Sequence, residues 1–357
     1  MMNVLGIGIL FTRGSGVACF EKALNDGWQE PAGEADANLK DKISPAYQVV
    51  LETVTGRALL KKMRRSDKLS KMAVLAASDA LRSSAIENMN KKRLGIIVAT
   101  AFGPQVTTFK FLDEILDYGE ANVSPIIFSN SVHNAPAAYV SSALDIQGPT
   151  LTVTQFYFSF QYALQLAQAW INEGRCDYIL VGAVDQYGDV LKYVHDCKLT
   201  PAPDNRIRPF NFNPTYHVPG EGAVFILVGK GNSKNAFCKV ENVWIGEHPE
   251  CKAPADIDII DTDGMLADES AYFSSISPDI PVAAYSPLFG SMMVGSAFNC
   301  AAGVLMLKNQ VCYANPVRDN PHGIKLLNNA GSINIELVRC IRYNCQGEKA
   351  AIYLKKK

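Results

Sequence analysis

Covalent chemistry needs a nucleophile beside a base, paired carboxylates, a set of metal ligands or a phosphate cradle. The chain has five histidines, His133, His195, His217, His248 and His322. They are scattered, and a base needs an orienting partner, so each alone reads as structural. The nine cysteines are Cys19, Cys176, Cys197, Cys238, Cys251, Cys300, Cys312, Cys340 and Cys345. Their odd number, uneven spacing and lack of a C-x-x-C argue against metal binding and for free thiols in a reducing cytosol. No G-x-S-x-G, helix-opening G-x-G-x-x-G or G-x-x-x-x-G-K-[ST] occurs. No metal and no cofactor is therefore expected. One stretch stands out: Phe156-Tyr157-Phe158-Ser159-Phe160-Gln161-Tyr162 sets five aromatics in seven residues at an expected strand-to-helix turn. Such turns gather ligand groups in α/β sheets, because a helix N-terminus presents unpaired N–H donors. Rings there build either a core helix or a wall that lines a closed site, an apolar tunnel or an oligomer interface.

The elements around that turn follow from hydrophobic periodicity. Residues 3–9, 94–101, 151–155, 178–184 and 223–229 read as strands, with 94–101 and 151–155 apolar runs of buried-strand length. Residues 64–83 carry apolar positions at helical spacing, and a helix after the aromatic turn runs to about Glu173, where Gly174 ends it as a C′ residue. Strands at 240–246, 257–261, 281–285, 333–343 and 350–354, with a helix over 296–308, repeat the plan. The expectation is an α/β protein of two weakly duplicated halves, 1–232 and 233–357, packed as one unit with a seam at the polar stretch 230–235. Loops are expected over 32–47 and 250–256.

Composition narrows the function. Of 357 residues, 48% are hydrophobic and 19% charged, enough to bury a sizeable core. The formal net charge of −1 argues against nucleic-acid binding, and no basic patch is expected. No apolar run reaches the roughly 18 residues of a membrane span, and the start reads as a strand rather than a signal peptide, so a cytoplasmic protein is expected.

Several motifs, in order, carry a family resemblance. Gly148-Pro149-Thr150-Leu151-Thr152-Val153 resembles the strand that leads to the nucleophile of β-ketoacyl synthases, of the thiolase-like superfamily. Asn172-Glu173-Gly174-Arg175-Cys176-Asp177, followed by Val181-Gly182-Ala183, resembles the family's helix end and next strand. Arg208-Pro209-Phe210-Asn211, then Pro219-Gly220-Glu221-Gly222-Ala223, resembles its R-P-F-D…G-x-G-E-G-A block. Met63-Arg64-Arg65-Ser66-Asp67 and Ala301-Ala302-Gly303 resemble two helix motifs. The resemblance implies a layered αβαβα thiolase-like fold.

It also implies where a Cys-His-His triad would stand. Counting along the motifs puts Tyr157 at the cysteine, Asp263 and Ala297 at the histidines, and Met292 at a lysine. The gating loop falls on 344–349, which keeps few of its glycines. An aspartate facing a developing enolate repels it, so no condensing activity of its own is expected. Gln155 resembles the glutamine that replaces the cysteine in decarboxylating relatives, which keep the histidines. Cys300 and Cys176 read as packed core thiols. Non-catalytic relatives act as chain-length factors, paired with an active ketosynthase in polyketide and aryl polyene systems. Phe102, Phe128 and His133 fall in segments that resemble the dimer contact and acyl tunnel, and join Phe156, Phe158 and Phe160 as candidate tunnel or interface residues. The implied partners are an active ketosynthase and an acyl carrier protein, though the short second half and lack of a basic patch put independent carrier docking in doubt. Two alternatives stay open: a divergent acyltransferase acting on carrier-protein thioesters, and a scaffold that binds an apolar ligand.

Overall fold

The computed structural model describes residues 1–31, 45–54, 56–84, 86–230, 235–246 and 255–357. Most of the loop positions expected at 32–47 and 250–256, most of the seam at 230–235, and His248 and Cys251 lie outside these residues.

Ten strands form the frame: β1 (Met2–Phe11), β2 (Leu94–Thr100), β3 (Thr150–Thr154), β4 (Tyr178–Asp185), β5 (Gly222–Gly229), β6 (Cys238–Ile245), β7 (Ile257–Ile260), β8 (Val282–Ala283), β9 (Leu337–Tyr343) and β10 (Lys349–Lys355). Their spatial order is β3-β2-β4-β5-β1-β6-β10-β9-β7-β8, with Gly14–Ser15 folded back on β1. Numbered within each half, the order is 3-2-4-5-1 and then its mirror, 1-5-4-2-3. The duplication that is weak in sequence is thus explicit in topology. The halves join where Met2–Val4 of β1 pairs with Val240–Cys238 of β6.

Among the described residues ten α-helices accompany the strands: α1 (Val17–Asp26), α2 (Arg57–Lys62), α3 (Lys68–Ser83), α4 (Gln105–Tyr118), α5 (Pro125–Asn130), α6 (Ala135–Leu144), α7 (Ser159–Asn172), α8 (Asp189–Lys198), α9 (Ser270–Ser275) and α10 (Gly295–Asn309). The α3 helix starts four residues later than its apolar spacing suggests, because Asp67 caps it, accepting from the Ser70 N–H at 2.9 Å. It lies so close on β1 that a Cβ at Gly8 would sit 1.9 Å from the Ala76 carbonyl oxygen. α7 and α10 each follow the third strand of their half and pack into the main core. Gly174, with φ 69°, sits just past α7 and turns the chain into β4.

Two expectations need revision. Residues 151–155 read as a buried run, but β3 is an edge strand paired only with β2, and Leu151 is 42% exposed. The halves also differ: β1 and β2 enclose α1 to α3, whereas among the described residues β6 and β7 are joined without a helix. No described helix is long and apolar enough to cross a membrane.

Candidate functional site

The turns after β2, β3, β4, β7 and β9 meet where the two halves abut. β3 ends at Thr154, and the turn through Gln155, Phe156, Tyr157 and Phe158 enters α7. Gln155 is committed to that turn, its Oε1 accepting the Phe158 N–H at 2.6 Å. Tyr157 is half-buried against the cluster of Ala101, Met265 and Met293. Its phenol faces Cys345, on the β9–β10 turn, and is pushed up to about 12 by burial and then by that neighbour. A cleft of about 440 Å³ opens here, lined by Gln155, Phe156, Tyr157, Asn344, Cys345 and Glu348.

Beneath Tyr157 lies a buried charge cluster. Arg342 on β9 pairs with Asp261 and lies 3.6 Å from Asp263. Asn299 of α10 donates to Asp261 at 3.0 Å, and Glu269 accepts the N–H groups of Asp263 and Gly264 at 3.1 and 3.0 Å. Burial pushes the carboxyl groups of Asp261, Asp263 and Glu269 up, Asp263 to about 7, while Arg342 pulls each back. Arg342 itself is held firmly protonated by its two aspartates against the opposing effect of burial. Asp185, at the end of β4, accepts from the Thr100 hydroxyl at 2.7 Å and the Ala101 N–H at 3.0 Å; burial raises it to about 6. Its grip fixes the turn that carries Phe102, whose ring packs on Phe156 at 5.5 Å.

The three positions matched to the triad therefore differ in setting. Tyr157 and Asp263 share one site, where the Asp263 charge adds to the raising of the phenol. Ala297 is fully buried in α10, and the backbone N–H of Met292 donates to Asp263. Cys300 and Cys176 are buried in the core, and burial pushes Cys300 up to about 12.

The aromatic run divides. Phe158 and Phe160 are 1% and 0% exposed, packed inside this chain, whereas Phe156 is 55% exposed. Other large apolar side chains are exposed as well: Leu112, Leu116, Ile126 and Phe128 on α4 and α5, and Leu151 on edge strand β3. A groove of about 660 Å³ runs between β3 and α6, with His133 at one end.

Sequence reasoning passed over three features. Arg342 was one; its signal is a pair of charges inside an apolar strand. Cys345 was counted only as a thiol. The third is a basic ridge, Lys61, Lys62, Arg64 and Arg65, exposed and without acidic partners among the described residues. It corrects the expectation that no basic patch exists: the near-zero net charge averages over it. Glu221 of the G-E-G-A block is a brace, paired with Lys68 and accepting from the N–H groups of Val49 and Tyr187 at 2.7 and 3.1 Å.

This duplicated strand order, with turns meeting between the halves, defines a ketosynthase-like fold. The β-ketoacyl synthase N-terminal domain matches residues 4–233, and the chain belongs to that family. Nodulation protein E of Rhizobium meliloti (strain 1021) is 30% identical over 167 residues, 46% of this chain and 41% of that protein. A putative polyketide beta-ketoacyl synthase 1 of Streptomyces virginiae is 27% identical over 180 residues, 47% of this chain and 43% of that protein. The chain thus spans under half the length of these relatives. Among solved structures, the ishigamide ketosynthase/chain length factor superposes with a TM-score of 0.82 at 15% identity, covering 100% of this chain and 99% of that one. A beta-ketoacyl synthase from Burkholderia phymatum STM815 gives 0.81 at 17% identity, with 100% and 99% covered. A type II PKS acyl-carrier protein in complex with its ketosynthase gives 0.76 at 14% identity, again with 100% and 99% covered.

Proposed function

We propose that this chain is a ketosynthase-like subunit without condensing activity, which pairs with an active ketosynthase and walls the tunnel for its growing acyl chain. The observation that carries the reading is the contrast at one turn. Tyr157 stands over a carboxyl-rich cluster, while Phe156, the ring before it, faces outward against Phe102 at the end of an open edge strand. An edge strand with free N–H and C=O groups invites a partner strand, and large exposed rings suit the core of such an interface. The resemblance to a ketosynthase/chain length factor supports the pairing.

Phe128 and Phe156 are the tunnel or interface residues we propose, with Phe102 behind Phe156 and His133 at the groove's edge. Phe158 and Phe160 act from beneath, by holding the turn. The basic ridge on α2 and the following turn is the docking place for an acidic acyl carrier protein, since four cations in five residues, without ion-pair partners among the described residues, concentrate positive potential. A cytoplasmic setting suits the eight described cysteines, all free.

The test is co-expression with the ketosynthase encoded nearest to this chain, read by size-exclusion mass and product length. A stable one-to-one complex is expected, in which Phe156→Ala or Phe128→Ala changes product length or weakens assembly. No complex, together with malonyl thioester turnover by this chain alone, would sink the reading. That result would favour a divergent acyltransferase, for which the Cys345 thiol beside Tyr157 is the specific observation. Loss of such turnover in Cys345→Ser would then place the chemistry there.

A further inference from the structure

A second cleft, of about 350 Å³, shares no lining residue with those described above. It lies between the end of α1 and residues 314–318, with Leu24, Asn25, Asp26, Trp28, Arg206 and Arg318 on its walls. The Arg206 guanidinium stacks 4.4 Å above the Trp28 ring centroid, which fixes the arginine in place. Among the described residues neither Arg206 nor Arg318 has an ion-pair partner, and Arg318 donates only to the Asn328 carbonyl, at 3.3 Å. The contrast with the adjacent Arg208 is direct: that side chain is paired with Asp204 at 2.7 Å and with Asp319 at 3.5 Å. Asp26, the one acid on the cleft wall, is paired with Lys22. Behind the cleft, Arg13 donates one nitrogen to the Gly27 carbonyl at 2.9 Å, and its Nη1 is buried without a partner.

Two arginines without an ion-pair partner among the described residues, one of them held by stacking, face a polar cleft and suit a dianion. A guanidinium fork matches a phosphate bidentately, and a preorganised fork loses less entropy on binding. We propose that this cleft binds a small phosphate monoester, its phosphate between Arg206 and Arg318 and its organic part along Trp28 and Leu24. The volume is near the lower end for small-molecule sites and suits a ligand of that size. The inference is independent of the acyl-tunnel reading.

The test is titration calorimetry of the full chain with phenyl phosphate and with inorganic phosphate at constant ionic strength, against benzoate as the monoanionic control. One-to-one saturable binding is expected, tighter for phenyl phosphate, with a change in tryptophan fluorescence. Arg206→Gln should weaken it about tenfold or more, and Arg318→Gln less. Arg175→Gln, a change of exposed charge elsewhere, should leave it intact. Trp28→Phe keeps a ring for the stack, so it should keep the calorimetric signal and lose the fluorescence response. The proposal is overturned by an absence of saturable binding at millimolar ligand, by equal binding in folded Arg206→Gln, or by benzoate binding as well as phenyl phosphate.

Discussion

Replacing Arg342 with methionine is the sharpest test of the buried cluster. The side chain is 2% exposed and is the only cation facing Asp261 and Asp263 among the described residues. Methionine roughly fills the volume but removes the charge. Two carboxylates then remain buried without their counter-ion. Breaking a buried pair from one side costs about 3–5 kcal/mol, because the orphaned charge keeps its desolvation penalty. Urea unfolding at pH 8 should show a loss approaching that size.

The pH dependence gives a second, stricter reading. The Asp263 carboxyl sits at about 7 in the folded chain, above its unfolded value, because burial outweighs the attraction of Arg342. A group raised in this way contributes most at low pH, and its contribution is lost as pH rises from the unfolded value through about 7. Without Arg342 the carboxyls of Asp261 and Asp263 rise further, so the loss extends to higher pH. The deficit of Arg342→Met should therefore be small near pH 5 and grow toward pH 8. Unfolding free energies within about 0.5 kcal/mol of wild type, or a deficit indifferent to pH, would refute the cluster as drawn. Replacing Arg342, Asp261 and Asp263 together with apolar residues should recover much of the loss, since the ions no longer need each other.

Other perturbations probe separate parts of the molecule. His195 is buried beside His217, both its ring nitrogens lack partners, and burial, then His217, push it down to about 4. A depressed histidine stabilises above its unfolded value of 6.5, and that stability is lost as pH falls toward 4, by roughly 3 kcal/mol in full. His195→Phe should flatten this acid limb in thermal melts between pH 7 and pH 4.5; an unchanged limb would place the titration elsewhere. Gly8→Ala should cost more than about 2 kcal/mol, as a methyl there meets the α3 backbone. Gly174→Ala, where a Cβ meets nothing but φ is 69°, should cost about 1 kcal/mol. Chemical denaturation should rank the two. Tyr157→Cys should give a thiol that alkylating agents label, yet no condensation in a malonyl thioester assay, because neither Asp263 nor Ala297 can supply an imidazole.

The legible part of this protein was local pattern. The strand runs, the amphipathic α3, the stop at Gly174 and the R-P-F and G-E-G-A blocks all state themselves within a few residues. For β3 the signal lay in alternation: Thr150, Thr152 and Thr154 interleave with Leu151 and Val153, a half-exposed pattern, and the sheet order makes it an edge. The aromatic run was read as one wall, yet the entry into α7 sends Phe158 and Phe160 inward and leaves Phe156 outside. The Arg342 cluster was within reach. Asp258-Ile259-Ile260-Asp261 and Arg339-Cys340-Ile341-Arg342 carry opposite charges at the same spacing, and parallel β7 and β9 align them: Arg339 opposite Asp258, then Arg342 beside Asp261. A matched pair of charge spacings in two apolar strands is a signal of parallel register.

The cluster also explains why the shape of a condensing enzyme can outlast its chemistry on the reading proposed here. Condensation requires donors aimed at an enolate oxygen as its charge develops. Asp261, Asp263 and Glu269 share one arginine, so the floor of this site is rich in carboxyl groups, with Arg342 already engaged. Above pH 7, where Asp263 is ionised, an incoming enolate would meet repulsion rather than stabilisation. The same groups serve the frame well. Arg342 ties β9 to the turn after β7, Asn299 ties α10 to Asp261, and Asp185 fixes the turn under Phe102 and Phe156. Many polar groups at the meeting point of the two halves are thus bound to each other, while Asp263 Oδ2, Asp185 Oδ2, Thr262 Oγ1 and Arg342 Nε make no hydrogen bond among the described residues. The Phe156 ring at that point faces outward, which on this reading lets it shape a partner's cavity without reacting in it.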